Sequence, residues 1–158
     1  MSMGFVLVLT FGIGLVSGLR AFTGIAAVSW AAHLGWINLS NSPLAFIGTK
    51  WALGIVTLLA LVEYVTDQLP GTPARTVPMQ LGARLVLGVF AGACLAFAGG
   101  ASLLIGIIGA AVGVLVGTYG GYHARVGLVR SFGVPDIVVA IPEDLVAIGL
   151  GLLIVTRF

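Results

Sequence analysis

Charge is scarce in this chain: only 8% of its 158 residues are Asp, Glu, Lys or Arg. A water-soluble domain carries about 25%, so a surface facing water cannot be covered. With 59% of residues hydrophobic and a mean hydropathy of +1.20, the solvent is hydrocarbon, where a spanning helix needs about 20 apolar residues. Hydrophilic linkers and low-complexity tails are missing too, which points to a single integral membrane domain over residues 1–158. The one cysteine, Cys94, lies in an apolar run, which excludes an intrachain disulfide and reads as a small buried hydrophobe. A formal charge of +2 is too small and too embedded to suggest nucleic acid. No basic stretch precedes the first apolar run, where the first positive charge is Arg20, so a mature membrane segment is expected there and not a cleavable signal.

Apolar stretches are abundant, at 4–36, 51–68, 82–98, 101–122 and about 137–156. The first is too long for one crossing: as a helix its 33 residues would reach ~50 Å, against a hydrocarbon core of ~30 Å. It is interrupted at 17-SGLRAFTG-24, where glycines flank an arginine. Two shorter pieces meeting at Gly18–Arg20 are expected, as a broken helix, a tight hairpin or two short crossings, because membrane backbone breaks only where protein or trapped water satisfies it. The fold class is therefore all-α, a polytopic transmembrane bundle of five or six membrane segments.

Trp30, Trp36 and Trp51 cluster around the loop at 35–51, as an aromatic belt at one interface would. Tyr64, Tyr119 and Tyr122 suggest the opposite belt. The connections at 69–84 and 122–136 carry Arg75, Arg84, Arg125 and Arg130 and share a side, whereas the Trp side holds Lys50 and Arg157. The positive-inside rule makes the arginine side cytoplasmic. Glycine recurs at Gly109, Gly113, Gly117 and Gly121, three GxxxG steps, and Gly88, Gly92, Ala96 and Gly100 continue the theme on the preceding stretch. Such glycine-zipper ridges let helices approach closely within a bundle, and a homo-oligomer face is their alternative use.

The stretch 59-LALVEYVTDQLPGTPAR-75 carries Glu63 and Asp67 at i, i+4, on one helix face. In 140-AIPEDLVAIGLG-151 a proline followed by Glu143 and Asp144 reads as a helix start. With Arg20 and Arg84, and with Arg125 at the end of the fourth stretch, these acids are expected to form one layer near the cytoplasmic side. Glu63 and Arg20 have apolar sequence on both sides, and intramembrane ionisable groups are functional candidates by default. An Arg20–Glu63 ion pair that pins the bundle is the duller reading. Asp67 has the reading of a solvated interfacial acid, and Glu143 and Asp144 that of simple helix-start residues. His33 and His123 lack ligand-like spacing; no metal and no cofactor is expected.

The segments 18-GLRAFTGIAA-27, 62-VEYVTDQLP-70 and Glu143–Asp144 resemble the domain-of-unknown-function family numbered 4126, small and mainly bacterial membrane proteins, over about residues 12–155. That resemblance places Gly18, Arg20, Glu63, Asp67, Pro70, Glu143 and Asp144 in the family pattern and implies a bacterial inner membrane. Gln68 stands where the pattern often has lysine, and no activity is implied. The leading expectation is a small transporter or channel-like protein for a small ion or polar solute, using Arg20, Glu63, Asp67, Arg84, Glu143 and Asp144. The alternative is a structural or accessory protein whose charges are ion pairs. An enzyme is not expected, because Ser/His and Cys/His arrangements and phosphate-cradling loops are missing; the remaining route to one, Asp67, Glu143 and Asp144 jointly holding a divalent ion, is weak.

Overall fold

A computed structural model describes residues 1–69 and 71–158, and among them the regular structure is all helical. Six α-helices follow one another: α1 Met3–Leu19, α2 Ala21–His33, α3 Lys50–Thr66, α4 Pro78–Ala98, α5 Leu103–Phe132 and α6 Asp136–Val155, with a 3-10 segment at Pro43–Gly48 before α3. α4, α5 and α6 are long and apolar enough to cross a membrane, and α1 is a shorter apolar helix. Start signals are local and conventional. Ser2, Thr49 and Ser102 cap α1, α3 and α5 by accepting from Phe5, Ala52 and Leu104 amides, and Pro78 opens α4. Gly133 ends α5 at φ 62°, in the left-handed region that favours glycine.

The first apolar stretch is a helical hairpin. Arg20 alone separates α1 from α2, in an extended conformation (φ −140°, ψ 115°). A Cβ on Gly24 would run into Ser17 and approach the Ile13 carbonyl at 3.1 Å, so α2 folds back along α1. The tryptophan-side ends also meet: Trp30 donates to Thr57 at 3.1 Å, and a Cβ on Gly99 would lie 2.7 Å from Val6 and 3.4 Å from Phe158.

α1 is the centre, packed against α2, α4, α5 and α6, while α3 packs mainly on α2 and the 3-10 segment. Against α5 the approach is close enough to exclude side chains. A Cβ on Gly14 would overlap the Ala110 carbonyl; on Gly113 and Gly117 it would overlap the Phe11 and Leu15 carbonyls. On α4 and α5, Gly92 and Gly106 face one another's backbone in the same way. Lipid gives helices no hydrophobic reason to associate, so dispersion between closely placed backbones carries this contact.

Two boundaries differ from the sequence reading. α5 does not end near 122: it runs through Arg125 and Arg130 to Phe132, so both arginines are helical and not in a connection. α6 does not start at Pro142–Glu143–Asp144; Pro142 lies inside it, and the start is Pro135–Asp136. From Asp136 the helix has 20 residues, ~30 Å, a full hydrocarbon core, whereas a start at Pro142 would leave it ~21 Å long. Asp144 therefore sits ~12 Å along α6, well inside the apolar run and not in a first turn.

Candidate functional site: the arginine–carboxylate layer

The break at Arg20 would strand the last carbonyls of α1 and the first amides of α2, a costly arrangement away from water. Two other helices supply the missing partners. Arg84, on α4, donates through Nη1 to the carbonyls of Gly18 at 3.1 Å and Leu19 at 2.9 Å. Glu63, on α3, accepts from the amides of Ala21 at 2.6 Å and Phe22 at 2.9 Å. The signs suit the helix dipoles: a cation at the end of α1 and an anion at the start of α2. Thr118 adds a hydroxyl at 3.3 Å from the Gly18 carbonyl.

Around this double cap the remaining charges close into a network. Arg20, fully buried, pairs through Nη1 with Asp67, and its Nε lies 2.5 Å from Asp144 Oδ1. Both acids thus hold the one guanidinium, and among the described residues Arg20 Nη2 has no hydrogen-bond partner. The guanidinium carbon stands 5.9 Å from the Tyr64 ring centroid, and the Tyr64 and Thr23 hydroxyls are 2.7 Å apart. Tyr64 thus adjoins the charged layer. Arg84 Nη2 lies 3.6 Å from both Glu63 Oε1 and Asp67 Oδ2.

A second group adjoins the first. Arg75, 7% exposed although it sits in the α3–α4 connection, grips Glu143 with two bonds of 2.5 and 3.0 Å. Arg125 reaches Glu143 at 3.2 Å and binds Asp136 through Nε at 2.8 Å and through Nη2. Gly121 leaves the room: a Cβ there would be 2.8 Å from Arg75 Nη1. All five carboxylates of the chain now face four guanidiniums.

Every site residue expected from the sequence therefore lies in this network: Arg20, Glu63, Asp67, Arg84, Glu143 and Asp144. The expected Arg20–Glu63 pair is replaced by Arg20 with Asp67 and Asp144, because Glu63 is occupied by helix amides and its nearer cation is Arg84. Asp136 was missed. Its signal is position: an acid directly after Pro135 in the first turn of α6, eleven residues beyond Arg125. Arg75 signalled only sidedness, since nothing in a connecting segment announces burial. Asp67, Glu143 and Asp144 are separated by their arginine partners, and among the described residues no three His, Cys, Asp or Glu side chains are grouped to hold a metal ion.

An open pocket of about 220 Å³ leads to the layer from the arginine side. Its lining comes from the connection at Thr72–Arg75, from Tyr122, Arg125 and Asp136, and from Asp67 and Arg84. Toward the tryptophan side, Ile13, Val16, Ile25 and Val28 belong to one buried apolar cluster. Chemically, the layer presents fixed guanidiniums and carboxylates to whatever enters, and Arg84 belongs both to the pocket lining and to the double cap.

Neither a curated protein nor a solved structure matches the chain significantly. A family model described as a domain of unknown function, DUF4126, matches residues 7–157. Covering nearly the whole chain, and with it the helix break, the α3 acids and the Glu143–Asp144 pair, that match makes this protein a member of the DUF4126 family.

Proposed function

We propose that the chain is a multi-pass protein of a cell membrane, crossing six times, that moves a small ion or polar solute through its arginine–carboxylate layer. One observation carries the reading: an open pocket on the arginine side is lined by Asp67 and by Arg84, and Arg84 binds the interrupted backbone of the α1–α2 hairpin. Interrupted helices with charges at their exposed ends are how membrane carriers build polar sites. The buried apolar cluster on the tryptophan side suits a carrier resting open to one side better than a continuous pore. Arg20 supplies fixed positive charge, Glu63 and Asp144 are the groups whose charge changes with the occupant, and Asp67 lines the mouth. The four glycines at 109, 113, 117 and 121 work as a zipper within the chain, and the arginine side is cytoplasmic.

In proteoliposomes the wild type is expected to pass a small ion or solute, and Glu63→Gln and Asp144→Asn to lose at least tenfold in flux while eluting as folded protein. Unchanged flux in both folded variants ends the transport reading. A second reading has its own support: all five carboxylates already have cationic partners, as a purely structural clamp requires. Under that reading the two variants unfold more easily and no flux is seen even with the wild type.

A further inference from the structure

We infer that the arginine–carboxylate layer binds one exchangeable proton, and that Asp144 is the group that holds it. Charge divides unevenly within the network. Arg75 and Arg125 stand against Glu143 and Asp136, two cations for two anions. Around the helix break, Arg20 and Arg84 stand against Glu63, Asp67 and Asp144, two cations for three anions. Among the described residues no further lysine, arginine or histidine comes within salt-bridge distance of these acids. With every group ionised, the place around the break therefore carries one negative charge too many. Its two arginines are 0% and 1% exposed, so water does not offset the excess. Such a buried surplus costs more to keep than to neutralise.

Partners single out Asp144. Glu63 accepts from two helix amides and faces Arg84. Asp67 meets both Arg20 and Arg84 and lines the open pocket. Asp144 has Arg20 alone, already paired with Asp67, and lies ~12 Å along α6 with 9% exposure. Its surroundings do not make up the difference. Tyr64 of α3 stands against the same Arg20, and Arg125 of α5 is taken by Asp136 and by Glu143, the next acid along α6. Two carboxylates on one guanidinium leave one of them better neutral.

A metal cation would need several oxygens around it. Here arginines stand between the acids, and no three His, Cys, Asp or Glu side chains are grouped to hold an ion among the described residues. A proton needs one oxygen. Access comes through the pocket of about 220 Å³, where Asp67 reaches the guanidinium that Asp144 also holds. Toward the tryptophan side, Tyr64 and Ile148, the latter one helical turn beyond Asp144, line a second cavity of about 270 Å³ between α2, α3 and α6. The proton site thus lies between two cavities. It deepens the transport reading by naming the ion, and narrows its charge-changing groups to Asp144. Its test reads protonation and not flux, so either can fall alone.

The full-length protein in lipid vesicles at neutral pH is followed by infrared spectroscopy. The wild type is expected to show the C=O stretch of a protonated carboxyl group, shifted on transfer to heavy water because the proton exchanges. Asp144→Asn should lose that band and Asp136→Asn should keep it. A wild type without the band, a band unmoved by heavy water, or one that survives in D144N overturns the proposal. Should D144N fail to fold, wild type isotope-labelled at the aspartate carboxyl carbon decides. A band shifted by the label supports an aspartate as the holder, and an unshifted one gives the proton to a glutamate and overturns the assignment.

Discussion

Arg84 touches both ends of the interrupted hairpin, the Gly18 and Leu19 carbonyls with one nitrogen and the Glu63 and Asp67 carboxylates with the other. Removing one member of a buried charged group leaves its partners unpaired, a loss of about 3–5 kcal/mol. Arg84→Ala is therefore expected to lower the unfolding midpoint in detergent by roughly 10 °C, at about 2–4 °C per kcal/mol for a chain of this size. Arg84→Lys should recover less than half of that loss, because a point charge cannot serve two carbonyls and two carboxylates with a planar fork. A lysine variant as stable as the wild type contradicts the double-cap geometry. At this scale the sequence was informative about membership and silent about pairing. Arg20, Glu63 and Arg84 stand out because apolar residues flank them, and lipid tolerates such residues only in a shared polar interior. Which acid meets which base depends on how each helix is rotated about its axis. Spacing along one helix does not contain that rotation, so Arg20 was matched to Glu63 when Asp67 and Asp144 hold it.

Among the elements, α1 and α5 make the closest contact, and it rests on absent side chains. Gly117→Leu would drive a side chain into the Leu15 carbonyl and Gly18, where backbone cannot yield. Overpacking of this kind costs about 1–3 kcal/mol or more, and a midpoint lower by at least ~4 °C is expected. Gly54→Leu is the control: nothing lies within 4 Å of a Cβ there, and stability should hold or rise as helix propensity improves. Equal losses at both positions would remove the packing role from the stripe. The glycine spacing made this ridge readable, though not that its partner is α1, four elements earlier in the chain. Helix existence was equally readable from the apolar runs, and the stretch at about 137–156 matches α6, but its start signal was read six residues late. Pro142–Glu143–Asp144 has the local marks of a first turn, but the helix already begins six residues earlier, at Pro135–Asp136.

Over the whole molecule, α1, α3 and α5 run toward the arginine layer and α2, α4 and α6 away from it, which puts Ser40 and Ser131 at opposite ends of the bundle. Both are exposed, and the native Cys94 is fully buried and silent toward a thiol reagent. A membrane-impermeant maleimide is expected to label Ser131→Cys only from the cytoplasmic face and Ser40→Cys only from the other. Labelling of both from one face refutes the six-crossing arrangement. The composition made the hydrocarbon solvent plain, whereas the burial of Arg75 and the pocket beside it depend on a connection whose path no local pattern encodes. The double cap has one more consequence, for biogenesis. Glu63 and Arg84 leave the ribosome some forty and sixty residues after the turn they complete. The first hairpin is thus synthesised with its bend unfinished and must be sheltered, by the insertion machinery or by water, until the third and fourth helices arrive. Assembly of this protein cannot proceed strictly from its beginning to its end.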